Sequence, residues 1–515
     1  MTADKARHRK VGLWIATALV VGNMVGSGVF LLPASLAPFG GVSILGWLFT
    51  SAGAMAVALL LAGLARRIPR AGGPYAYTRE GLGGLPAFLV AWGYWISIWS
   101  GNAAISIAFV GYSATFFPSL AQDPALGAGA ALAAIWLLTG VNALGVREAG
   151  IVQLWTTILK LLPLVAMGTL GLLWLDPHHF VPFNASGGSS FGAITATATL
   201  TLWAFLGLES ATIPADSVRD PGRTIPRATV LGTGLAALVY ILATVGVMGI
   251  VPSGELARST APFADAATRI WGGWAGGFIA LGAAISAFGA LNGWILLQGQ
   301  MPLAVARDGL FPGVFGKVSQ RGTPVAGLVV SSVLATALIG LNFSATLVDQ
   351  FTFIILLATL STLIPYIFSS LADLALLVRE RRVGPAGLRA DPALPSPAPP
   401  SDRQIDRTGT GAEPAMLAAD GRPAFTGPWK TRALLAVAAL LYSLWAVVGA
   451  GREAVFWGFL LLLAGVPVYA WQVRKTRTGG SGPTIPEQRE SWPPPRPQGQ
   501  RLPRDPGEGG AGHGS

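Results

Sequence analysis

The chain alternates between apolar runs and short connections that hold most of its charge. Each run is close to the roughly 20 residues that cross a hydrocarbon core about 30 Å thick. Such runs fall near 11 to 33, 41 to 65, 86 to 117, 125 to 145, 151 to 175, 191 to 213, 228 to 251, 275 to 299, 324 to 342, 350 to 378, 431 to 450 and 454 to 472. No single soluble core hides that much apolar surface, so lipid has to act as solvent. Lipid satisfies no freed backbone group, which leaves the helix as the form of each run. With 52% hydrophobic and 11% charged residues in 515, the composition agrees. The expected fold is an all-α polytopic membrane protein of about twelve transmembrane helices, with the lipid bilayer as its surroundings.

The formal net charge is +11, but Lys and Arg cluster between the runs and form no continuous basic face, so nucleic acid is not the expected partner. The clusters report topology instead. Arg66, Arg67, Arg70 and Arg79, then Arg147, then Arg219, Arg223 and Arg227, then Arg307, Lys317 and Arg321, then Arg379, Arg381 and Arg382 fall in alternate loops. The intervening loops, such as FPSLAQDPALG and DPHHFVPFNASGG, are almost free of positive charge. Both termini are therefore expected in the cytoplasm. Residues 1–10 form a basic N-terminal segment, and the run after it is read as a retained first span because Asn23 and Gly26 to Gly28 interrupt it. Residues 383–430 and 473–515 are rich in Pro, Gly, Ala and charge, and are expected to be a disordered loop and tail. The WPPPRPQGQ stretch in the tail reads either as a partner docking segment or as solvated chain.

Two runs are interrupted. The first contains GNMVGSG (Gly22 to Gly28) and the sixth contains WAFLGLES (Trp203 to Ser210). Either alone fits close helix packing. The pair, in matching positions five spans apart, fits broken helices one and six of a five-plus-five inverted repeat covering residues 11–378, with spans eleven and twelve at 431–472 added to it. Asn23 to Gly28 and Trp203 to Glu209 then become a substrate site, where amides freed at a half-helix start hold a carboxylate. Glu209 is the one carboxylate near the middle of its run, which makes it a candidate proton-responsive gate. Trp203 and Trp294 lie away from the expected interfaces and read either as packing or as faces for a cationic head. Lys160 lies about ten residues into the fifth run and is either an inward cation or a snorkelling side chain. The chain has no cysteine, its four histidines fall outside the runs, and HExxH and phosphate-binding glycine loops are absent. No enzyme, metal or cofactor is expected.

The segments GNMVGSGVFLLPASLA, RAGGPYAYTRE, WAFLGLESA and DPGRTIPRAT resemble the amino acid, polyamine and organocation transporter superfamily. YWISIWSGNAAI, APFADAAT, NGWILLQGQ and DGLFP extend the resemblance to its basic amino acid and polyamine antiporters, most of all to those exchanging arginine for agmatine. The resemblance implies a homodimer in the inner membrane of bacteria, exchanging a basic amino acid for its decarboxylated amine and contributing to acid resistance. It places Asn23, Met24, Ser27 and Gly28 about the substrate's carboxylate end, and Ser97, Ile98, Asn102 and Ile105 about its guanidinium. Trp203 would stack, Leu206 would offer backbone, and Trp294 would form a wall. Tyr94, Glu209 and Tyr366 would build the inner gate, with Tyr75 as a pH-responsive element at the cytoplasmic mouth. Ala204 and Ala358 stand where the pattern has serine, and Asn292 stands for a glycine. Lys160 resembles the span-five lysine of proton-coupled symporters, so symport or export of a broader amino acid set is the alternative, followed by a non-transporting sensor and a channel.

Overall fold

The computed structural model describes residues 12–26, 28–69, 72–144, 161–212, 218–320, 322–342, 346–387 and 429–478. Every longer regular element among them is a helix: α1 (Leu13–Met24), α2 (Gly28–Leu36), α3 (Val42–Arg67), α4 (Pro74–Leu82), α5 (Gly84–Ser113), α6 (Pro124–Leu144) and α7 (161–169). They continue as α8 (Ser190–Leu202), α9 (Pro221–Ile250), α10 (Pro262–Trp271), α11 (Gly273–Arg307), α12 (Val325–Asn342), α13 (Leu347–Gly387), α14 (Trp429–Gly449), α15 (Arg452–Leu463) and α16 (Gly465–Thr478). Among the described residues, eight segments are long and apolar enough to cross a bilayer by themselves, among them 190–212, counted through the break after α8, and 452–474, counted across the interruption between α15 and α16. The remaining expected spans differ for local reasons: the first is divided between α1 and α2, α5 carries Ser97, Ser100, Asn102 and Ser106 along its length, the fifth is described only from residue 161, and α12 is a shorter apolar helix.

Spans five positions apart meet. Span two (α3) packs on span seven (α9), span three (α5) on span eight (α11), and span four (α6) on span nine (α12). Around the breaks, α1 touches the turn at Ser210–Thr212 and α2 touches both α8 and the turn at Trp203–Phe205. An odd number of spans per repeat inverts the second copy, and this pairing is what such a repeat produces. Small residues permit the close approaches: Gly46 of α3 lies against Thr197 of α8, and Gly53 of α3 against the Tyr442 ring of α14. Charge within the bundle is paired at one end, where Arg67 of α3 contacts Asp373 and Glu380 of α13. Arg432 of α14 reaches Glu380 at 3.2 Å, so three helices share one ionic cluster.

Two limits differ from expectation. α13 runs to Gly387 and α16 to Thr478, past the expected ends at 378 and 472: the residues just beyond the apolar band, Arg379 to Arg382 and Arg474 with Lys475, are good helix formers, and leaving that band does not by itself stop a helix. The expected disordered segments therefore begin with helix, and residues 388–428 and 479–515 lie outside the described residues. The twelfth span is bent at Ala464, beside Gly465 and Pro467, and Trp92 Nε1 of α5 donates to the Leu461 carbonyl there at 2.8 Å.

The sixth span changes from α-helix to a turn at Trp203–Phe205 and is carried through Gly207 at φ +102. A Cβ on Gly207 would stand 3.1 Å from the Asn23 carbonyl carbon in the first span, so both backbone angle and space require glycine. Gly207→Ala is expected to destabilise the protein by about 1–3 kcal/mol. Thermal unfolding in detergent tests this, with Gly222→Ala, which meets no atom within 4 Å, expected to leave the transition in place.

Candidate substrate site between the two breaks

α1 ends at Met24, and the chain passes through Val25 and Gly26 before α2 starts at Gly28. Val25 N–H still bonds Val21 at 2.7 Å and Gly26 N–H turns back to Met24 at 2.9 Å, which leaves the first amides of α2 without helical acceptors. In the sixth span Leu206 N–H bonds Trp203 at 3.2 Å, Leu208 bonds Phe205 at 3.3 Å and Ser210 bonds Gly207 at 2.9 Å. The irregular stretch is thus held by short turns and stays buried.

A cavity lies where the two breaks meet α5 and α11. Asn23, Met24, Gly26, Gly28, Ser97, Gly101, Ile105, Trp203, Leu206 and Trp294 line it. The Trp203 indole rests on Gly28 and Gly101, where any side chain would collide with it. The space open to the centre of a water molecule is about 20 Å³, room for about one water. An amino acid fits only when the tryptophan walls part. Among the described residues the lining carries no ionised side chain: it offers indole faces, one amide, one hydroxyl and the start of α2.

Eight of the eleven residues expected at the site line this cavity: Asn23, Met24, Gly28, Ser97, Ile105, Trp203, Leu206 and Trp294. Ser27 lies outside the described residues, as does Lys160. Ile98 and Asn102 do not line it, because they sit on neighbouring faces of α5. Asn102 turns instead to α11, where its Nδ2 donates to Gln298 Oε1 at 2.7 Å. Gly26 lies within the expected Asn23 to Gly28 stretch; Gly101 was missed, and its signal is the small residue that the neighbouring Trp203 ring favours. Of the departures, Ala204 and Ala358 are buried away from the lining, while Asn292 accepts from Asn142 Nδ2 at 2.8 Å.

The three expected gate residues are together. Glu209 is wholly buried, Tyr94 OH donates to its Oε1 at 2.9 Å, and Tyr366 OH donates to its Oε2 at 2.9 Å. One carboxyl group therefore joins the broken sixth span to α5 and α13. Beside it, Ser97 shares a hydrogen bond with Thr362 of α13. Tyr75 lies on α4, away from this carboxyl, and its OH donates to Asp308 Oδ2 at 2.6 Å. Arg79 Nη1 reaches the same oxygen at 2.6 Å. Burial first, then the bond to Asp308 and its charge, raises the Tyr75 hydroxyl above the ordinary tyrosine range. Tyr75 is thus tied to Asp308 as a hydrogen-bond donor.

The amino acid permease family profile matches residues 11–395. A cadaverine/lysine antiporter of Escherichia coli (strain K12) is 40% identical over 369 residues, 70% of this chain and 82% of that protein. A putative arginine/ornithine antiporter of Bacillus subtilis (strain 168) is 36% identical over 402 residues, 72% of this chain and 85% of that protein. The putrescine transporter PotE of Haemophilus influenzae is 31% identical over 467 residues, 90% of this chain and 98% of that protein. Among solved structures, a manganese transporter of Eremococcus coleocola, bound to an aromatic bis-isothiourea compound, superposes with a TM-score of 0.52. It is 11% identical and covers 90% of this chain and 94% of that one, a likeness of fold alone.

Tyr94→Phe and Tyr366→Phe each leave one buried Glu209 oxygen without its donor, so each is expected to cost about 1–3 kcal/mol. The two losses share one carboxyl group, so a double-mutant cycle of thermal stability is expected to be non-additive. Strict additivity would mean that the two bonds are independent.

Proposed function

The chain belongs to the amino acid permease family, and we propose that it is an antiporter exchanging a basic amino acid for an amine, with lysine/cadaverine and arginine/agmatine as the candidate pairs. The observation that carries this reading is the cavity at the paired breaks, where indole faces suit a cationic head and the freed amides of α2 suit a carboxylate. The named activities of the relatives support it: cadaverine/lysine antiport, putrescine transport and arginine/ornithine antiport. In this reading Asn23, Met24 and Gly28 receive the carboxylate end, while Trp203 and Trp294 enclose the aliphatic and cationic part. The protein works in a bacterial inner membrane as a homodimer with both termini cytoplasmic, and residues 11–378 form the transport core.

Tyr94, Glu209 and Tyr366 form the inner gate of the proposal. Protonation of Glu209 removes the charge that strengthens both tyrosine bonds and adds a donor to the carboxyl, so the hold of Tyr94 and Tyr366 on it weakens. Opening on the inner side is thereby linked to a proton.

Reconstituted liposomes test the reading. Preloading with cadaverine is expected to accelerate uptake of labelled lysine, and preloading with agmatine that of labelled arginine; the faster pair assigns the substrate. Uptake that ignores the internal amine and needs only a pH gradient would assign symport in place of exchange. In the same vesicles exchange is expected to rise as pH falls, and Glu209→Gln is expected to flatten that profile.

A further inference from the structure

We propose that Gln298 is a positioning residue: it fixes which end of the Asn102 amide is engaged inside the protein and leaves Asn102 Oδ1 as an acceptor for the cationic tip of the substrate. The proposal rests on the amino acid/amine reading above and adds to it the residue that sets which end of the Asn102 amide stands free beside the cavity.

The oxygen and nitrogen of an amide have nearly the same shape, so their placement has to follow from their partners. Gln298 Nε2 faces the Leu328 carbonyl at 3.1 Å and Ser332 Oγ at 2.8 Å. A carbonyl accepts and never donates, so the Leu328 carbonyl obliges Gln298 to present its nitrogen there. Gln298 Oε1 is then turned toward Asn102 and accepts its Nδ2 at 2.7 Å. Asn102 has one nitrogen and one oxygen, and with the nitrogen held by Gln298 its Oδ1 is the group left over. That oxygen is buried, in a side chain with no exposed surface, and has no partner among the described residues.

The arrangement is rigid. The Gln298 backbone carbonyl accepts from Ser331 Oγ at 3.2 Å, Ser331 accepts from Trp95 Nε1 at 2.8 Å, and Ser332 shares a 2.6 Å bond with Thr139. Both residues flank the lining without being part of it: Gln298 follows Trp294 by one turn of α11, and Asn102 follows Gly101 directly on α5, so Asn102 Oδ1 meets the substrate only once the cavity has opened to admit it. A buried acceptor without a donor costs free energy, which a donor can recover. Ammonium and guanidinium groups only donate, whereas a carboxylate only accepts and would face oxygen with oxygen. Without Gln298, Asn102 is free to turn its NH₂ outward, and the wall loses its preference.

The test is competition against uptake of labelled lysine into liposomes carrying the full-length protein. Half-inhibiting concentrations are compared for lysine and for norleucine, which has the same backbone but an uncharged, non-donating tip. Gln298→Met and Gln298→Leu keep most of the volume and lack the amide, so one that folds is sufficient. Either is expected to lower the preference for lysine over norleucine about ten-fold or more, through a weaker grip on lysine alone. Ser332→Ala removes a buried bond but leaves the Leu328 carbonyl in control of Gln298, so it is expected to lower stability and keep the preference. An unchanged lysine/norleucine preference in the Gln298 variants, or a parallel fall for both compounds, overturns the proposal. Acceleration of wild-type uptake by internal amine is read separately, so a failure of exchange is distinguishable from a failure of positioning.

Discussion

The governing constraint is that lipid offers no hydrogen bonds, so a span that stops being a helix has to be covered by protein. Here two spans stop, and each covers the other. Gly207 brings the sixth span against the Asn23 backbone, and Gly28 allows the Trp203 indole to rest on the start of α2. Gly28 at the start of α2 and Leu206 in the irregular part of the sixth span consequently line one buried volume. The binding geometry follows from the local failure of two helices, and the surrounding pairs of spans hold that failure in place.

The same scarcity of partners organises the polar groups farther out. Glu209 is held by one tyrosine from α5 and one from α13, so its carboxyl group is a joint between three elements. Asn102, Gln298, Ser332 and Thr139 form a chain across α5, α11, α12 and α6. Arg67, Asp373, Glu380 and Arg432 close one end of α3, α13 and α14. In water such groups would choose among many partners. In a bundle buried in lipid they have few, and each bond fixes how two helices stand.

Legibility in the sequence followed the range of each signal. Broken spans announce themselves locally, since glycines and polar residues within GNMVGSG and WAFLGLES break an apolar run, and Glu209 stands out as a lone carboxylate. The gate tyrosines and the cavity residues came from resemblance; eight of the residues it names line the cavity, while Ile98 and Asn102 stand beside it. The partners separated by long stretches of chain were hidden, because nothing local to Asn102 points to Gln298, nor to Arg67 toward Glu380. The Tyr75 partner was hidden for the same reason, since Asp308 lies 233 residues further along the chain. Helix ends past the apolar band were also concealed, since hydropathy marks where lipid stops and not where helix does.

The central claim is that the substrate lies between the two breaks, against the Trp203 indole. Binding of labelled lysine and arginine to purified protein in detergent measures it without any need for transport. Trp203→Leu is expected to weaken binding of the transported amino acid at least ten-fold, since it removes both the stacking face and the cover over Gly28. Trp14→Leu, at a position 78% exposed, is expected to bind as the wild type does. Wild-type affinity in a folded Trp203→Leu protein would contradict the account.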